Sequence, residues 1–194
     1  MIAEPRLRNG EKVLWRGEPD PAVRFTPADR FFIPFTIAWL GFAVFWTVVV
    51  WSSTTAPPFL WLFGLLFVGI GVHLTIGRFF AKAARKKKTR YVVTDQRAIV
   101  IDPLGTRQTE VNAPGRVSRI HPDGTHMDVA FGNELGPMVG FRGAASLRMY
   151  ANTGLDDFAA MGPGLPIAFY DVADVAGLED ALHTSTKTSP GSSA

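Results

Sequence analysis

Two long stretches without a charged side chain limit how this chain can fold more than any other feature. Phe31–Trp51 and Phe59–Gly77 contain no Asp, Glu, Lys or Arg over 21 and 19 residues. At about 1.5 Å per helical residue, each stretch reaches roughly 30 Å, the thickness of a bilayer's hydrocarbon core. A core helix of a soluble protein seldom stays apolar on every face for this length. The sequence therefore predicts two transmembrane helices, over 31–51 and 59–77.

The distribution of cations predicts the orientation of this hairpin. Residues 52–58, which join the two stretches, carry no charge, whereas Arg16, Arg24 and Arg30 precede the first stretch and a basic run follows the second. Positive charge favours the cytoplasmic side of a membrane. We therefore expect a multi-pass protein of the inner (plasma) membrane with both termini in the cytoplasm. No cleavable signal peptide is expected, because the first 30 residues carry charges throughout.

Charge and cysteine content exclude several classes of protein. Residues 1–88 hold 12 Lys and Arg against 5 Asp and Glu, whereas residues 89–194 hold 8 against 12, giving nets of +7 and −4. The positive excess thus belongs to the flanks of the membrane segments, which argues against a nucleic-acid-binding domain. The chain has no cysteine, so disulfides, thiolate nucleophiles and Cys-based zinc sites are excluded.

After residue 90 the pattern changes to short runs typical of β-strands. Candidate strands occupy 91–94, 98–101, 106–111, 117–121 and 126–131, with one or two more in 140–149. Pro122-Asp123-Gly124 is a specific turn signal between two of them. This spacing predicts an antiparallel sheet bent into a sandwich or a partly open barrel. Val13-Leu14-Trp15, ahead of the hairpin, is expected to add a strand to it or to lie at the membrane surface.

A last helix is predicted from apolar residues at helical spacing, namely Val175, Leu178, Ala181 and Leu182. Asp171 or Asp174 is expected to cap its start, and the helix is expected to cover an open end of the barrel. Residues 152–166 are rich in Gly and Pro and are predicted to form a long loop. The Ser/Thr-rich tail, 185–194, is predicted to be disordered.

The predicted organisation has five parts. They are a cytoplasmic N-terminal segment 1–30, the hairpin 31–77, a basic juxtamembrane segment 78–90, a β-domain 91–184 and the tail 185–194.

Three further segments surround the hairpin and close the β-domain. They are Glu11-Lys12-Val13-Leu14-Trp15-Arg16-Gly17-Glu18-Pro19, Thr89-Arg90-Tyr91-Val92-Val93-Thr94-Asp95-Gln96-Arg97-Ala98-Ile99-Val100 and Ile167-Ala168-Phe169-Tyr170-Asp171-Val172. In these segments the chain resembles bacterial membrane-anchored proteins with a pleckstrin-homology-like (PH-like) domain, over most of 11–184. The resemblance implies a PH-like barrel with a C-terminal capping helix, and it implies no known reaction or ligand. The expected fold class is an α+β membrane protein, with a transmembrane hairpin followed by an antiparallel β-barrel or sandwich.

The basic run is the candidate membrane-surface site. Its cations attract anionic headgroups, each contributing on the order of 1 kcal/mol near an acidic leaflet. The predicted topology requires the same charges, so topology alone also explains the run. The acidic β-domain favours lipid binding only if Arg97, Arg107, Arg116 and Arg119 gather on one face. The members of the basic run are Arg78, Lys82, Arg85, Lys86, Lys87, Lys88 and Arg90.

His121 and His126 flank the Pro-Asp-Gly turn, with Asp123 and Asp128 close in sequence. Such a group could bind a metal, and exposed hairpin side chains explain it equally well. The latter interpretation is the favoured one, so no metal or other cofactor is predicted. Ser118 and His121 do not suggest a nucleophile and its base, because near neighbours on a strand point to opposite faces or lie too far apart. No catalytic residue is predicted, and the protein is not expected to be an enzyme.

The expected function is that of a membrane-anchored binding module. It would present its β-domain at the cytoplasmic face of the lipid bilayer to a membrane or cytoplasmic protein, with lipid recognition as the less favoured option. The alternative is an accessory subunit of a transport or envelope-stress complex that acts through its transmembrane helices. His73 is the one titratable side chain within the apolar stretches. Gly64, Gly69, Gly71 and Gly77 permit close packing within the hairpin or between copies, so a homo-oligomer is possible.

Overall fold

The computed structural model describes residues 7–23, 25–26, 29–131, 152–154 and 167–188. In these residues the chain is an α+β protein, in which two long apolar helices form a hairpin and seven short strands form two antiparallel sheets. The strands predicted in 140–149, most of the loop 152–166 and the tail beyond residue 188 lie outside the described part of the chain.

The hairpin consists of helix α1, Asp29–Ser52, and helix α2, Pro58–Val72. Pro58 occupies the start of α2, where a missing backbone N–H costs no hydrogen bond. Helix α1 and the continuous helix Pro58–Lys86, which begins with α2, are each long and apolar enough to cross a membrane. Large apolar side chains point outward from them, with Phe45 65% and Leu62 71% exposed. Apolar patches of this extent on a protein surface mark contact with a membrane or a partner.

The second apolar helix does not end at residue 77, where the sequence placed its boundary. A π-helical turn, His73–Gly77, follows α2 and leads directly into helix α3, Arg78–Lys86. A Cβ at residue 77 would lie 2.8 Å from His73 Nδ1. Glycine at this position therefore leaves space for the His73 imidazole, which belongs to the preceding turn. The basic run is therefore largely the end of one helix, Pro58–Lys86, and not a separate juxtamembrane segment.

Two of the four glycines noted in α2 and the π turn lie against α1. A Cβ on Gly64 would lie 2.5 Å from Thr47 Oγ1, and one on Gly71 would lie 2.9 Å from Leu40 Cδ1. The space around Gly69 is open. Close packing within the hairpin therefore explains Gly64 and Gly71.

The strands form two separate sheets. The first has the order β1-β2-β3-β4 and contains Val13–Gly17, Arg90–Thr94, Arg97–Asp102 and Gly105–Glu110. The second has the order β5-β6-β7 and contains Val117–Ile120, Met127–Ala130 and Ala168–Val172. Two turns, with Gly115 at φ 87°, lie between β4 and β5, which belong to different sheets.

The described strands thus resemble the predicted sandwich and do not form a closed barrel. Strand β1 precedes the hairpin in sequence but pairs with β2, which follows it. The β-domain therefore includes residues 13–17 in addition to the predicted range.

The main core lies between the sheets and the last helix, α4, Val175–Thr188. Phe169 is fully buried at its centre and stacks on Tyr91, with 4.5 Å between ring centroids. Asp174, and not Asp171, caps α4, because its Oδ1 accepts the Gly177 N–H at 3.1 Å. Its Oδ2 accepts the Trp15 indole N–H at 2.8 Å, which ties β1 to the helix. Residues 185–188, predicted to be disordered, are the helical end of α4.

Candidate functional site

Three cations of the basic run are buried. Arg78 is 0%, Lys82 4% and Lys86 5% exposed, and their spacing of four residues places them on one face of α3. The expectation that the whole run lies on an open membrane surface is therefore wrong for these three side chains. Because these side chains are buried, and Arg78 and Lys86 pair with Asp29 and Asp171, this face of α3 is turned toward the rest of the protein.

The other members of the run lie further outward. Lys87 and Lys88 are exposed, whereas Arg85 and Arg90 are half-buried. Arg90 forms an ion pair with the exposed Glu18. Contact with lipid headgroups through this segment would therefore involve Lys87 and Lys88 first.

Arg78 closes the base of the hairpin. Its Nη1 lies 2.6 Å from Asp29 Oδ1 and donates a hydrogen bond to the Thr153 carbonyl at 3.0 Å. The guanidinium lies over the Phe79 ring, 4.4 Å from its centroid. Gly154, at φ 82°, lies so close that a Cβ would be 2.5 Å from the Arg78 carbonyl oxygen. The first turn of α1, the start of α3 and residues 152–154 therefore meet at one buried guanidinium.

Lys86 joins the end of α3 to the β-domain. Its Nζ donates to the carbonyl oxygens of Asp20 and Val23 at 2.9 and 2.7 Å, and it forms an ion pair with Asp171 Oδ2 at 2.5 Å. All three N–H donors of the ammonium are thus used. A buried ion pair is retained only where its remaining hydrogen bonds are made, as they are here.

Asp171 lies at the centre of the polar groups around Lys86. It is 1% exposed, and its φ of 52° falls in the left-handed region, which Asp adopts more readily than most residues. Its backbone N–H donates to Asp128 Oδ1, and its carbonyl accepts the Asp20 N–H, both at 2.8 Å. Asn152 Nδ2 donates to the same carboxylate oxygen that Lys86 contacts. From the sequence alone, the only role predicted for Asp171 is that of a helix cap.

The two histidines at the ends of the β5–β6 turn enter the same region. The His121 N–H donates to the His126 carbonyl at 2.8 Å, as expected of a hairpin. His126 Nε2 lies 3.1 Å from Asp20 Oδ2. His121 Nε2 lies 3.1 Å from Asp128 Oδ2 and 3.6 Å from Asp171 Oδ1. The histidine side chains are 15% and 14% exposed, so the interpretation as exposed hairpin residues is wrong for both.

We call this group of side chains the junction cluster. It brings together the N-terminal segment, α3, the β5–β6 hairpin, residues 152–154 and β7. Its members are Asp20, Lys86, His121, His126, Asp128, Asn152 and Asp171.

Two nearby groups are held in a single protonation state. The Ala22 backbone N–H, followed by His126, lowers the pKa of the Asp20 carboxyl below its ordinary value. Burial raises the pKa of the Tyr91 hydroxyl well above its usual range, and this oxygen accepts the Tyr170 N–H at 3.1 Å.

Ser118 and His121 are the pair that the sequence analysis compared with a nucleophile and its base. In the structure Ser118 is exposed on β5, whereas His121 Nε2 faces two carboxylates.

Two of the four arginines that could form a basic face, Arg97 and Arg107, lie on opposite faces of the first sheet. Arg97 forms a bidentate pair with the buried Glu11, with both N–O distances 2.7 Å. Arg107 lies opposite Val100 in the β3–β4 register and forms an ion pair with Asp102 at 2.5 Å. Because residues 97 and 100 are an odd number of positions apart on one strand, the two arginines lie on opposite faces. They do not form the single basic face that lipid recognition by this domain would need.

Comparison of the chain with protein-family models, with curated proteins and with solved structures finds no match. The role of the junction cluster is therefore inferred from its geometry. It holds three carboxylates, one ammonium and two imidazoles where the helical hairpin meets the β-domain.

Proposed function

We propose that the protein is a membrane-anchored binding module. In this proposal, the α1–α2 hairpin spans the inner membrane and holds a PH-like β-domain at the cytoplasmic face for a protein partner. The observation that carries the proposal is the buried pair between Lys86 and Asp171, which fixes the end of the second apolar helix to the β-domain. A flexible tether would be enough to retain a domain at a membrane, so a fixed link favours a function in which its position matters.

The length of α3 supports a β-domain close to the lipid headgroups. The helix has nine residues beyond the π turn, which corresponds to roughly 13 Å at the rise of an α-helix. The headgroup layer on one side of a bilayer is about 5–8 Å thick. Lys87 and Lys88 are exposed at the end of α3, where they would favour an anionic surface.

The surface of the β-domain favours a protein over a lipid as the partner. Arg97 and Arg107 are engaged in ion pairs on opposite faces of the first sheet. Strand β4 pairs with β3 on one side, and no described strand lies along its other side. An open strand edge carries backbone donors and acceptors to which an extended segment of another protein can add.

Photo-cross-linking of the full chain in its native membrane tests this proposal. A photoreactive residue at Thr106, which is exposed on β4, is compared with one at Glu179, which is exposed on α4. We expect a discrete protein adduct from Thr106 and none from Glu179. A third probe at Leu62, on the outside of α2, tests the alternative function. Protein adducts from Leu62 alone would support an accessory subunit that acts through its helices, and would contradict the proposal.

A further inference from the structure

We propose that His121, Asp128 and Asp171 bind a divalent transition-metal ion, a site that goes beyond the proposed binding function. One ligand atom from each of the three residues lies within 4.8 Å of the others, and His121 Nε2 faces Asp128 Oδ2 and Asp171 Oδ1. We call these residues the inner trio. They come from the β5–β6 turn, β6 and β7, three segments that only the fold brings together. An imidazole nitrogen with carboxylate oxygens is a ligand set for ions such as Zn²⁺ and Mn²⁺.

The two distances from His121 to the carboxylates of the inner trio are close to those between ligands of one ion. The imidazole Nε2 lies 3.1 and 3.6 Å from the two carboxylate oxygens. Ligand atoms bound at about 2.0–2.2 Å to one ion are about 3.0–3.5 Å apart in tetrahedral or octahedral geometry. A hydrogen bond could also account for the shorter distance. His121 Nε2, however, is buried and has no hydrogen-bond partner among the described residues, although both oxygens are near.

A second group, the outer trio of His121, Asp123 and His126, is less suitable. Both ring nitrogens of His126 already have partners, since Nδ1 lies 2.7 Å from Thr125 Oγ1 and Nε2 3.1 Å from Asp20 Oδ2. Asp123 is exposed and accepts the Thr125 N–H. An ion in the outer trio would have to displace these contacts, whereas the ligand atoms of the inner trio remain available.

The second oxygen of each carboxylate in the inner trio is held by another group. Asp128 Oδ1 accepts the Asp171 N–H at 2.8 Å. Asp171 Oδ2 is contacted by Lys86 and Asn152. Partners of this kind orient the ligating oxygen in metal sites, and they leave the opposite oxygen free to bind the ion.

The charge of the junction cluster also favours a cation. Asp20, Asp128 and Asp171 oppose the single ammonium of Lys86. The three carboxylates and the ammonium together carry a net charge of −2, which is costly in an enclosed site. A divalent ion would neutralise it. The side chains of the inner trio are 15%, 9% and 2% exposed, so the ion would fasten the β5–β6 hairpin to β7 beside Lys86.

The test uses the full chain in detergent, without an affinity tag, after removal of metals with EDTA. Zn²⁺ or Mn²⁺ is then added, and bound metal per chain and the melting temperature are measured. We expect one ion per chain and a rise in Tm of about 5–10 °C at a metal concentration about 100 times Kd. Asp128→Asn retains the Oδ1 acceptor for the Asp171 N–H but loses the anionic ligand, so it should lose both the ion and the shift in Tm.

His126→Gln is the matched control, because it changes the outer trio and leaves the inner trio intact. It should bind the ion as the wild type does. If Asp128→Asn does not fold, His121→Gln replaces it with the same expected loss. The proposal is overturned if the wild type binds no ion, if its Tm responds to pH but not to metal, or if Asp128→Asn binds as well as the wild type. Loss of binding in His126→Gln alone would place the ion in the outer trio, and would also overturn it.

Discussion

At the scale of single residues, two ion pairs hold together segments that are far apart in sequence. Glu11 and Arg97 are 86 residues apart and Lys86 and Asp171 are 85 apart, and all four side chains are nearly inaccessible to solvent. One pair fixes the segment before β1 to β3, and the other fixes α3 to β7. Removing one partner of such a pair leaves a buried charge without its counter-ion, which costs more than the intact pair contributes.

The Glu11 pair makes stability depend on acid pH. The hydrogen bond from Arg97 lowers the pKa of the Glu11 carboxyl from 4.5 to about 2. Since the folded pKa lies below the unfolded one, the pair stabilises the fold above about pH 4.5 and loses this effect as the pH falls toward 2. We expect Glu11→Gln to reduce stability at pH 7 by about 2 kcal/mol. The difference from wild type should shrink in acid, as measured by unfolding from pH 7 to 2. A difference that stays constant with pH would contradict this assignment.

Lys86 and its neighbour Lys87 provide a direct comparison of buried and exposed cations. Lys86→Met leaves Asp171 buried without its ammonium, so we expect a loss of about 3–5 kcal/mol. Lys87→Met changes an exposed side chain and should shift stability by about 0.5 kcal/mol or less. Unfolding of both variants in the same detergent, with EDTA present, measures the difference. Equal effects would show that Lys86 does not hold α3 to the β-domain.

At the scale of elements, the features predicted correctly depend on local sequence. The two apolar stretches, the Pro-Asp-Gly turn and the apolar spacing of α4 are all contained in short windows. Each of these elements is present, and the ends of α1 and of strands β2 to β6 lie within a few residues of the prediction. Strand β1 is also present. For this segment the sequence left open whether it adds a strand to the sheet or lies at the membrane surface.

The orientation of the basic run could not be predicted in the same way. Four consecutive cations at 85–88 are typical of a solvated segment, and this pattern conceals the spacing of Arg78, Lys82 and Lys86. That spacing indicates one helical face only if the helix continues past residue 77. The partners of Asp171 were also hidden, because they come from positions 20, 86, 128 and 152. The polar residues of the junction cluster are therefore grouped by the fold and not by a motif.

The packing of the hairpin yields a prediction that separates two neighbouring glycines. A Cβ on Gly71 would lie 2.9 Å from Leu40 Cδ1 and 3.3 Å from its Cα, whereas Gly69 has open space. Gly71→Ala should therefore lower stability by about 1–3 kcal/mol through crowding. Gly69→Ala should be neutral, or stabilising by up to about 1 kcal/mol through helix propensity. Thermal unfolding in detergent measures both. A change in oligomeric state with Gly69→Ala would indicate that this open face packs against another copy.

At the scale of the whole molecule, the proposed orientation puts the turn 53–57 and the β-domain on opposite sides of the membrane. The chain has no cysteine, so single cysteines report their location without background. Thr54, in the turn, and Ser118, on β5, are both exposed and suited to this purpose. In right-side-out membrane vesicles, a membrane-impermeant maleimide should label Thr54→Cys at once.

Under the same conditions Ser118→Cys should be labelled only after the vesicles are opened with detergent. The physical reason is that the 12 Lys and Arg residues of 1–88 all lie outside the uncharged turn, and such residues favour the cytoplasmic side. Labelling of both positions in sealed vesicles would show that the hairpin does not cross the bilayer. The exposed apolar surface of α1 and α2 would then have to be covered by another protein. Labelling of Ser118→Cys alone would invert the orientation and place the β-domain outside the cell.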